Sequence, residues 1–294
     1  IASCLVGSEM CIRDRAMYDS GLLKELLEKT AVQGVFNCVE FYFEGKAGEE
    51  EEIRKLLEKR NLCSVFLAGF PMKRDGVDIT SPDERVRRKS VEFCRRMYER
   101  CQGLGAGKML IVSGPAWKEK DGRALMGQAC KSFEEIGTGI GGNGPEITLE
   151  FFNDEGEPEL AVGKVPFVRK LYEQTQGCGI GITFDTSHVA QMGADVETSF
   201  AGLAPWIRHL HLANSVSANR NNPLFGDKHP LFGVRDGDFT VADIRKHFCA
   251  LKEQNMLHNV DICSLEVISR GDNDWYYDRI SEQAAEIWKG ERIL

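Results

Sequence analysis

The sequence predicts a single (β/α)₈ barrel in which the place of the first strand falls on a segment foreign to the fold. Three observations point there. At 294 residues the chain suits one α/β barrel, which commonly runs to about 250. From Asp19 onward, helix-like and strand-like segments alternate, and strands separated by helices must pair in parallel through crossovers. The late strands each carry polar residues at the same end.

In chain order, Leu22, Leu23, Leu26 and Leu27 form an apolar helical stripe behind Ser20, a candidate cap. Val35 to Phe43 reads as a strand, Glu49 to Lys59 as a charged helix and Cys63 to Ala68 as the next strand. Ser81-Pro82-Asp83-Glu84 reads as a cap and a first-turn proline opening a long helix that ends near Gly103-Leu104-Gly105. Strand Lys108 to Val112 follows, then helix Arg123 to Ile136 and strand Ile147 to Phe152. Helix Val165 to Gln174 precedes strand Ile180 to Phe184, and a short helix near Val196 to Leu203 precedes strand Ile207 to Leu212. A long loop, Ala213 to Asp238, leads to helix Val241 to Gln254, strand Ile262 to Val267 and a last helix, Trp275 to Trp288. That makes seven strands. Gly137 to Gly144 (GTGIGGNG) follows a helix and precedes a strand, the reverse of a phosphate-cradling order, and reads as a turn.

An eighth strand belongs ahead of the first helix. Cys4 to Arg15, CLVGSEMCIRDR, resembles the translation of a sequencing-library adapter. It lacks the basic start and long apolar run of a signal peptide. Residues 1–15 are therefore read as non-native and 16–294 as one barrel domain.

Composition narrows the function. The chain holds 37 Lys+Arg against 45 Asp+Glu, a formal charge of -8, which disfavours a surface built to neutralise phosphate backbones. No apolar run approaches the roughly 18–20 residues of a membrane span. The ten cysteines form no CxxC pair and sit mostly in apolar or helical contexts, as Cys38, Cys63, Cys94, Cys130, Cys249 and Cys263 do. They read as buried free thiols of a cytoplasmic protein. A homo-oligomer is compatible with such a barrel, although nothing specifies an interface.

Chemistry concentrates at the ends of the last four strands. Strand five, ITLEFFN, holds Glu150; strand six, GITFDTSH, ends in Asp185 and is followed by His188. Strand seven, IRHLHLANS, carries His209 and His211 on one face, and strand eight, ICSLEVIS, holds Glu266. Parallel strands aim these ends at one mouth, where three buried carboxylates would repel one another. One divalent cation held by Glu150, Asp185, His211 and Glu266 resolves both costs. His211 is preferred to His209 because it lies nearer the strand end.

Trp117 in SGPAW and Phe70-Pro71 are candidate aromatic walls of a sugar pocket. Glu40 or Glu44 could bind a hydroxyl, but a solvated rim is the expected setting.

LEFFN, FDTSH, HLHL and SLEV, in this order and spacing, resemble the xylose-isomerase-like sugar phosphate isomerase/epimerase superfamily over about residues 16–294. Its members include tagatose-type ketose 3-epimerases, hydroxypyruvate isomerase, inosose dehydratase and apurinic endonucleases. The resemblance implies Glu150, Asp185, His211 and Glu266 as metal ligands, Glu150 and Glu266 also as the acid/base pair, and His188 as a contact to a substrate oxygen. Asp227 and His229, in GDKHPLFG, resemble an Asp-x-His second-metal element and are placed towards substrate or a second ion.

Two positions depart from the ketose 3-epimerases. Their arginine six residues past the strand-seven ligand is Ser217 here, with Arg220 beyond as the candidate substrate contact. Their glutamate after the strand-five ligand is Gly156, flanked by Glu155 and Glu157. All six histidines lie at 188 or later, too few and too late for the endonucleases' trinuclear zinc centre.

The implied activity is sugar isomerisation or epimerisation, by proton transfer beside a carbonyl through an enediolate. The oxygen-rich set favours Mn²⁺, Mg²⁺ or Co²⁺, with Zn²⁺ also fitting. The substrate is a small carbohydrate, with no nucleic-acid or membrane partner. An inosose-dehydratase-like lyase, a metal-dependent hydrolase and a catalytically silent sugar-binding barrel are the alternatives.

Overall fold

The computed structural model describes residues 2–6, 19–117, 121–138, 144–152, 160–271 and 273–289. Residues 7–15 of the adapter-like segment, the core of the glycine-dense run (139–143) and Glu155 to Glu157 lie outside the described residues. Eight parallel strands close into a barrel in chain order. They are β1 (Ala2–Val6), β2 (Cys38–Phe41), β3 (Cys63–Leu67), β4 (Lys108–Ile111), β5 (Glu146–Glu150), β6 (Ile180–Asp185), β7 (Ile207–Ala213) and β8 (Ile262–Glu266). The seven strands read from sequence are β2 to β8. The place left for a first strand is taken by Ala2–Val6, whose backbone pairs with both β2 and β8.

The helices are α1 (Ser20–Gln33), α2 (Ala47–Arg60), α3 (Gly69–Arg74), α4 (Glu84–Gly103), α5 (Gly122–Gly137), α6 (Val165–Gln174), α7 (Thr186–Gln191), α8 (Val196–Leu203), α9 (Val241–Glu253) and α10 (Asn273–Ile287), with a 3₁₀ turn at Met256–Asn259. Two short helices, α3 and α7, follow strands where the sequence reading assigns no element; six residues are too few to show an apolar period. The strand expected over Val35 to Phe43 shortens to β2.

Two caps differ from expectation. The α1 cap is Asp19 instead of Ser20, its carboxylate accepting from Gly21 N at 2.9 Å and Leu22 N at 3.2 Å. The α4 cap is Asp83 instead of Ser81, accepting from Arg85 N at 2.8 Å, so Pro82 precedes the helix. In each case a neighbouring aspartate competes successfully with serine for the first free N–H groups. The thiols also divide: Cys38, Cys94, Cys101 and Cys263 are buried, Cys130, Cys178 and Cys249 half-buried, and Cys63 exposed. Cys63 opens its strand with its side chain outward, where an apolar context in sequence says little about burial.

The floor of the barrel is charged. Lys108, at the start of β4 and 1% exposed, sends its ammonium to Glu146 at 2.6 Å, Asp261 at 2.7 Å and the Arg208 carbonyl at 3.2 Å. These contacts tie β4, β5 and β7 to the approach of β8 at the end opposite the mouth. Lys108→Ala is expected to cost about 2 kcal/mol, chiefly through the cavity left by the buried stem, because Glu146 and Asp261 keep access to solvent once the ammonium is gone. Lys108→Met, which keeps the stem, should cost less; equal urea-unfolding free energies for both variants and the parent would refute this.

Candidate metal centre

Each residue of the centre is placed by the strand or turn that carries it. Glu150 ends β5, Asp185 ends β6, His211 lies near the end of β7 and Glu266 ends β8. Residues two apart share a strand face, and in each case the residue two earlier is also polar and buried: Thr148, Thr183, His209 and Ser264. The barrel interior is thus polar in two tiers beneath the mouth.

Asp185 serves two elements at once. Its Oδ1 caps α7, accepting from Ser187 N at 2.5 Å and His188 N at 3.4 Å. Its Oδ2 turns to the barrel axis, 3.7 Å from His211 Nδ1. That nitrogen also lies 3.2 Å from Glu150 Oε1 and 2.7 Å from Glu266 Oε2. None of these four atoms has a hydrogen-bond partner of acceptable alignment, although each is buried. They lie within 4.8 Å of one another. Lone pairs aimed at a common point instead of at one another fit a cation, and three oxygens with one imidazole nitrogen suit a divalent ion of borderline or hard character.

The surrounding groups are strongly polarised. Burial would raise the Glu150 carboxyl, but His188 and His211 outweigh it and hold it at about 2. Asp185 and Glu266 are likewise lowered against the cost of burial, Asp185 chiefly by His188 and Glu266 chiefly by His229. His211 is raised well above its ordinary value: burial opposes its charge, but Glu40, Glu266, Asp185 and Glu150 surround it.

His188 projects from α7 with Nε2 3.5 Å from Glu150 Oε1, its ring tilted by 38° against that of Phe152 with centroids 3.9 Å apart. The long loop after β7 brings Asp227 and His229 to the same place. Ser215 and Ser217 both donate to Asp238 at 2.6 Å, and the His229 carbonyl accepts from Ile268 N at 2.8 Å, which pins the loop to the end of β8. His229 Nε2 contacts Asp227 Oδ1, and His188 Nδ1 lies 3.9 Å from the same oxygen. Asp185, His188 and His229 form a second set of converging ligand atoms.

Above the centre opens a cavity of about 430 Å³ whose polar floor includes Glu150, His188, His211, Asp227, His229 and Glu266. Leu67, Phe70, Leu110, Val112 and Phe152 form its apolar wall, and Lys73 and Arg74 stand at its edge. Phe70 was anticipated there. Trp117 and Arg220 are not among the lining residues: Trp117 is half-buried, and Arg220 is exposed, its guanidinium 5.4 Å above the Phe225 ring.

Glu40 departs most from expectation. It occupies no solvated rim; at 1% exposure it lies inside the barrel beneath the centre, against His209, His211 and Ser264. Glu44 does sit at the surface, accepting from Tyr42 and Arg74. The alternation of polar residues along β5 to β8 could have revealed the lower tier, but a lone glutamate on β2 carried no such pattern.

A family model for the xylose isomerase-like TIM barrel matches residues 28–289. The chain belongs to that family. Among solved structures similar to this family member is a D-tagatose 3-epimerase-like protein, 16% identical, with 98% of each chain covered and a TM-score of 0.73. A D-allulose 3-epimerase from Methylomonas sp., in complex with D-allulose, is 14% identical over 99% of this chain and 97% of its own, with a TM-score of 0.73. An IOLI protein with a binding zinc atom is 16% identical over 98% and 95%, with a TM-score of 0.70. At these identities the likeness is one of fold. A comparison with curated protein sequences returned no match.

The His229 pair generates a pH test on cation-free protein. Burial lowers the His229 pKa, but Glu266 and Asp227 outweigh it and raise it from 6.5 to about 10. Its stabilising contribution is therefore complete below pH 6.5 and is lost as pH rises towards 10. His229→Gln should reduce the fall in stability between pH 7 and pH 10 by roughly 1–3 kcal/mol. Parallel urea-midpoint profiles for parent and variant would exclude this.

Proposed function

We propose that this chain is a divalent-metal-dependent sugar isomerase or epimerase that moves a proton beside a carbonyl. The observation that carries the reading is the convergence of four buried, unpartnered atoms, from Glu150, Asp185, His211 and Glu266, on the floor of an open cavity. The fold likeness to solved sugar epimerases, and to a protein with a binding zinc atom, supports it. Mn²⁺, Mg²⁺ and Co²⁺ suit this donor set best, and Zn²⁺ also fits.

When bound, the cation supplies Lewis-acid polarisation of a carbonyl and an adjacent hydroxyl oxygen, which acidifies the neighbouring C–H bond. The chain's residues do the rest. Glu150, ionised at neutral pH because His188 and His211 outweigh the cost of its burial, is the residue assigned to accept the substrate proton. Glu266, whose Oε2 lies 2.7 Å from the same His211 nitrogen, delivers or receives the second proton. Return to the same carbon from the other face gives an epimer, and return to the adjacent carbon exchanges aldose and ketose. His188, its ring tilted against Phe152 and its Nε2 beside Glu150, is the residue assigned to donate to a substrate oxygen. The apolar wall limits water around the carbanionic carbon. Asp185 and His211 serve as anchors.

A second reading, a two-metal hydrolase, draws on the Asp185, His188 and His229 group. Metal content separates the two: one divalent cation per chain by elemental analysis supports the isomerase reading, and two support the hydrolase. The direct test is a screen of ketoses, aldoses and inososes with Mn²⁺, following product mass, stereochemistry and solvent-deuterium incorporation. An isomer of unchanged mass that gains deuterium at one carbon is expected; loss of one water would identify a lyase. Glu150→Gln and Glu266→Gln should each lower turnover by about 10²–10⁴-fold, and parent-like rates in both would sink the assignment. Chelation should abolish turnover and Mn²⁺ restore it; ligand binding indifferent to chelation would favour a silent sugar-binding barrel.

A further inference from the structure

Beneath the centre, Glu40 makes contacts that the proposed reaction does not use. It arises from β2, on the opposite side of the barrel from β5 and β6, yet reaches the axis. Its Oε2 lies 3.3 Å from His211 Nε2. Its Oε1 accepts from the Ser264 hydroxyl and lies 2.9 Å from His209 Nε2. His209 Nε2 is itself 2.9 Å from Ser264 Oγ, and Thr183 Oγ1 lies 3.4 Å from His209 Nδ1. A carboxylate without solvent contact thus sits among three protein donors from β7 and β8.

Glu40, His209 and His211 also form a set of converging ligand atoms that could be read as an ion site. The distribution of partners argues otherwise. No side-chain polar atom of Glu40, His209 or Ser264 is among the buried atoms lacking a partner, whereas the four atoms of the upper centre all are. The lower group is a closed hydrogen-bonded network and the upper one is open.

We propose that Glu40 is a positioning residue: by accepting the Nε2–H of His211 it fixes the ring and its tautomer so that Nδ1 presents a lone pair to the cation. The inference rests on reading Glu150, Asp185, His211 and Glu266 as the cation site. An imidazole has one nitrogen to give to a metal only when the proton resides on the other. Here Nδ1 faces Glu150, Asp185 and Glu266 while Nε2 faces Glu40, so the acceptor for the remaining proton is already built in. A carboxylate in that place also strengthens the ring as a donor to the ion. His209 and Ser264 hold Glu40 from the other side, so the lower polar tier acts on the centre through one residue.

The test uses the full chain, stripped of metal and titrated with Mn²⁺ by calorimetry, with circular dichroism confirming that each variant is folded at the working temperature. Glu40→Gln keeps the shape and loses the charge; it should bind one Mn²⁺ per chain about 10–100-fold more weakly than the parent. Ser264→Ala, which removes one donor to Glu40 and should perturb folding less, should weaken binding by a smaller factor in the same direction. With Zn²⁺ bound, nitrogen-15 NMR should show His211 protonated at Nε2, with that proton's signal shifted upfield in Glu40→Gln. Parent-like affinity in both folded variants, alongside weakened binding in His211→Ala, would overturn the role of Glu40 alone. If His211→Ala and Glu150→Gln both bind Mn²⁺ as the parent does, the cation site itself is refuted and the Glu40 role with it.

Discussion

His211 sits between Glu40 below and Glu150, Asp185 and Glu266 above, and this shared imidazole is the contact around which the barrel mouth is organised. Two like charges about 4 Å apart repel by roughly 4 kcal/mol at an effective dielectric of 20, so clustered carboxylates are tolerable only with positive charge among them. The protonation directions give the balance. Glu40, Glu150, Asp185, Glu266 and Asp227 are all lowered, while His188, His211 and His229 are raised and His209 is lowered. The carboxylates and most of the imidazoles thus shift in opposite senses, each group favouring the other's charged form. Under the proposed reading, a divalent cation held by Glu150, Asp185, His211 and Glu266 adds positive charge among these carboxylates and engages the four unpartnered atoms of the centre at once.

The arrangement explains why polar residues stack in pairs along the last four strands. A strand that points Glu150 or Asp185 inward must also point the residue two positions earlier inward. Thr148 and Thr183, linked at 2.8 Å, and His209 and Ser264, at 2.9 Å, fill that lower tier by satisfying one another. Large apolar residues there would pack well but would leave Glu40 Oε1 without a partner, a penalty of about 1–3 kcal/mol for a buried polar group. Further down, Lys108 collects Glu146 and Asp261. The interior is a column of polar layers, and the hydrophobic core lies largely outside it, between strands and helices.

The alternation of elements was legible because strand and helix periods differ, and the four upper residues because they recur at equivalent strand ends. Glu40 was not, since its significance depends on closure: only when β2 wraps round to face β7 and β8 does a glutamate on an early strand meet two histidines 169 and 171 positions later. Caps at Asp19 and Asp83 were missed by one or two positions because several residues competed for each helix start. Strand β1 is a different matter. Its backbone pairs with β2 and β8, and a parallel ladder asks little of side-chain identity, so the pairing does not bear on the origin of those residues.

The centre and the cavity above it are joined through a single short helix. Asp185 caps α7 with one carboxylate oxygen and offers the other to the centre, while His188, one turn along, lies against Phe152 and reaches towards Glu150. The rigid element that places a candidate ligand therefore also places the histidine proposed to meet substrate. The Lys73 ammonium lies 4.0 Å from the centroid of the same Phe152 ring. Phe152 thus contacts both the His188 ring and the Lys73 ammonium. Replacing Asp185 would remove the cap of α7, the helix that carries His188, along with a candidate ligand, so one side chain serves both the centre and the wall of the cavity.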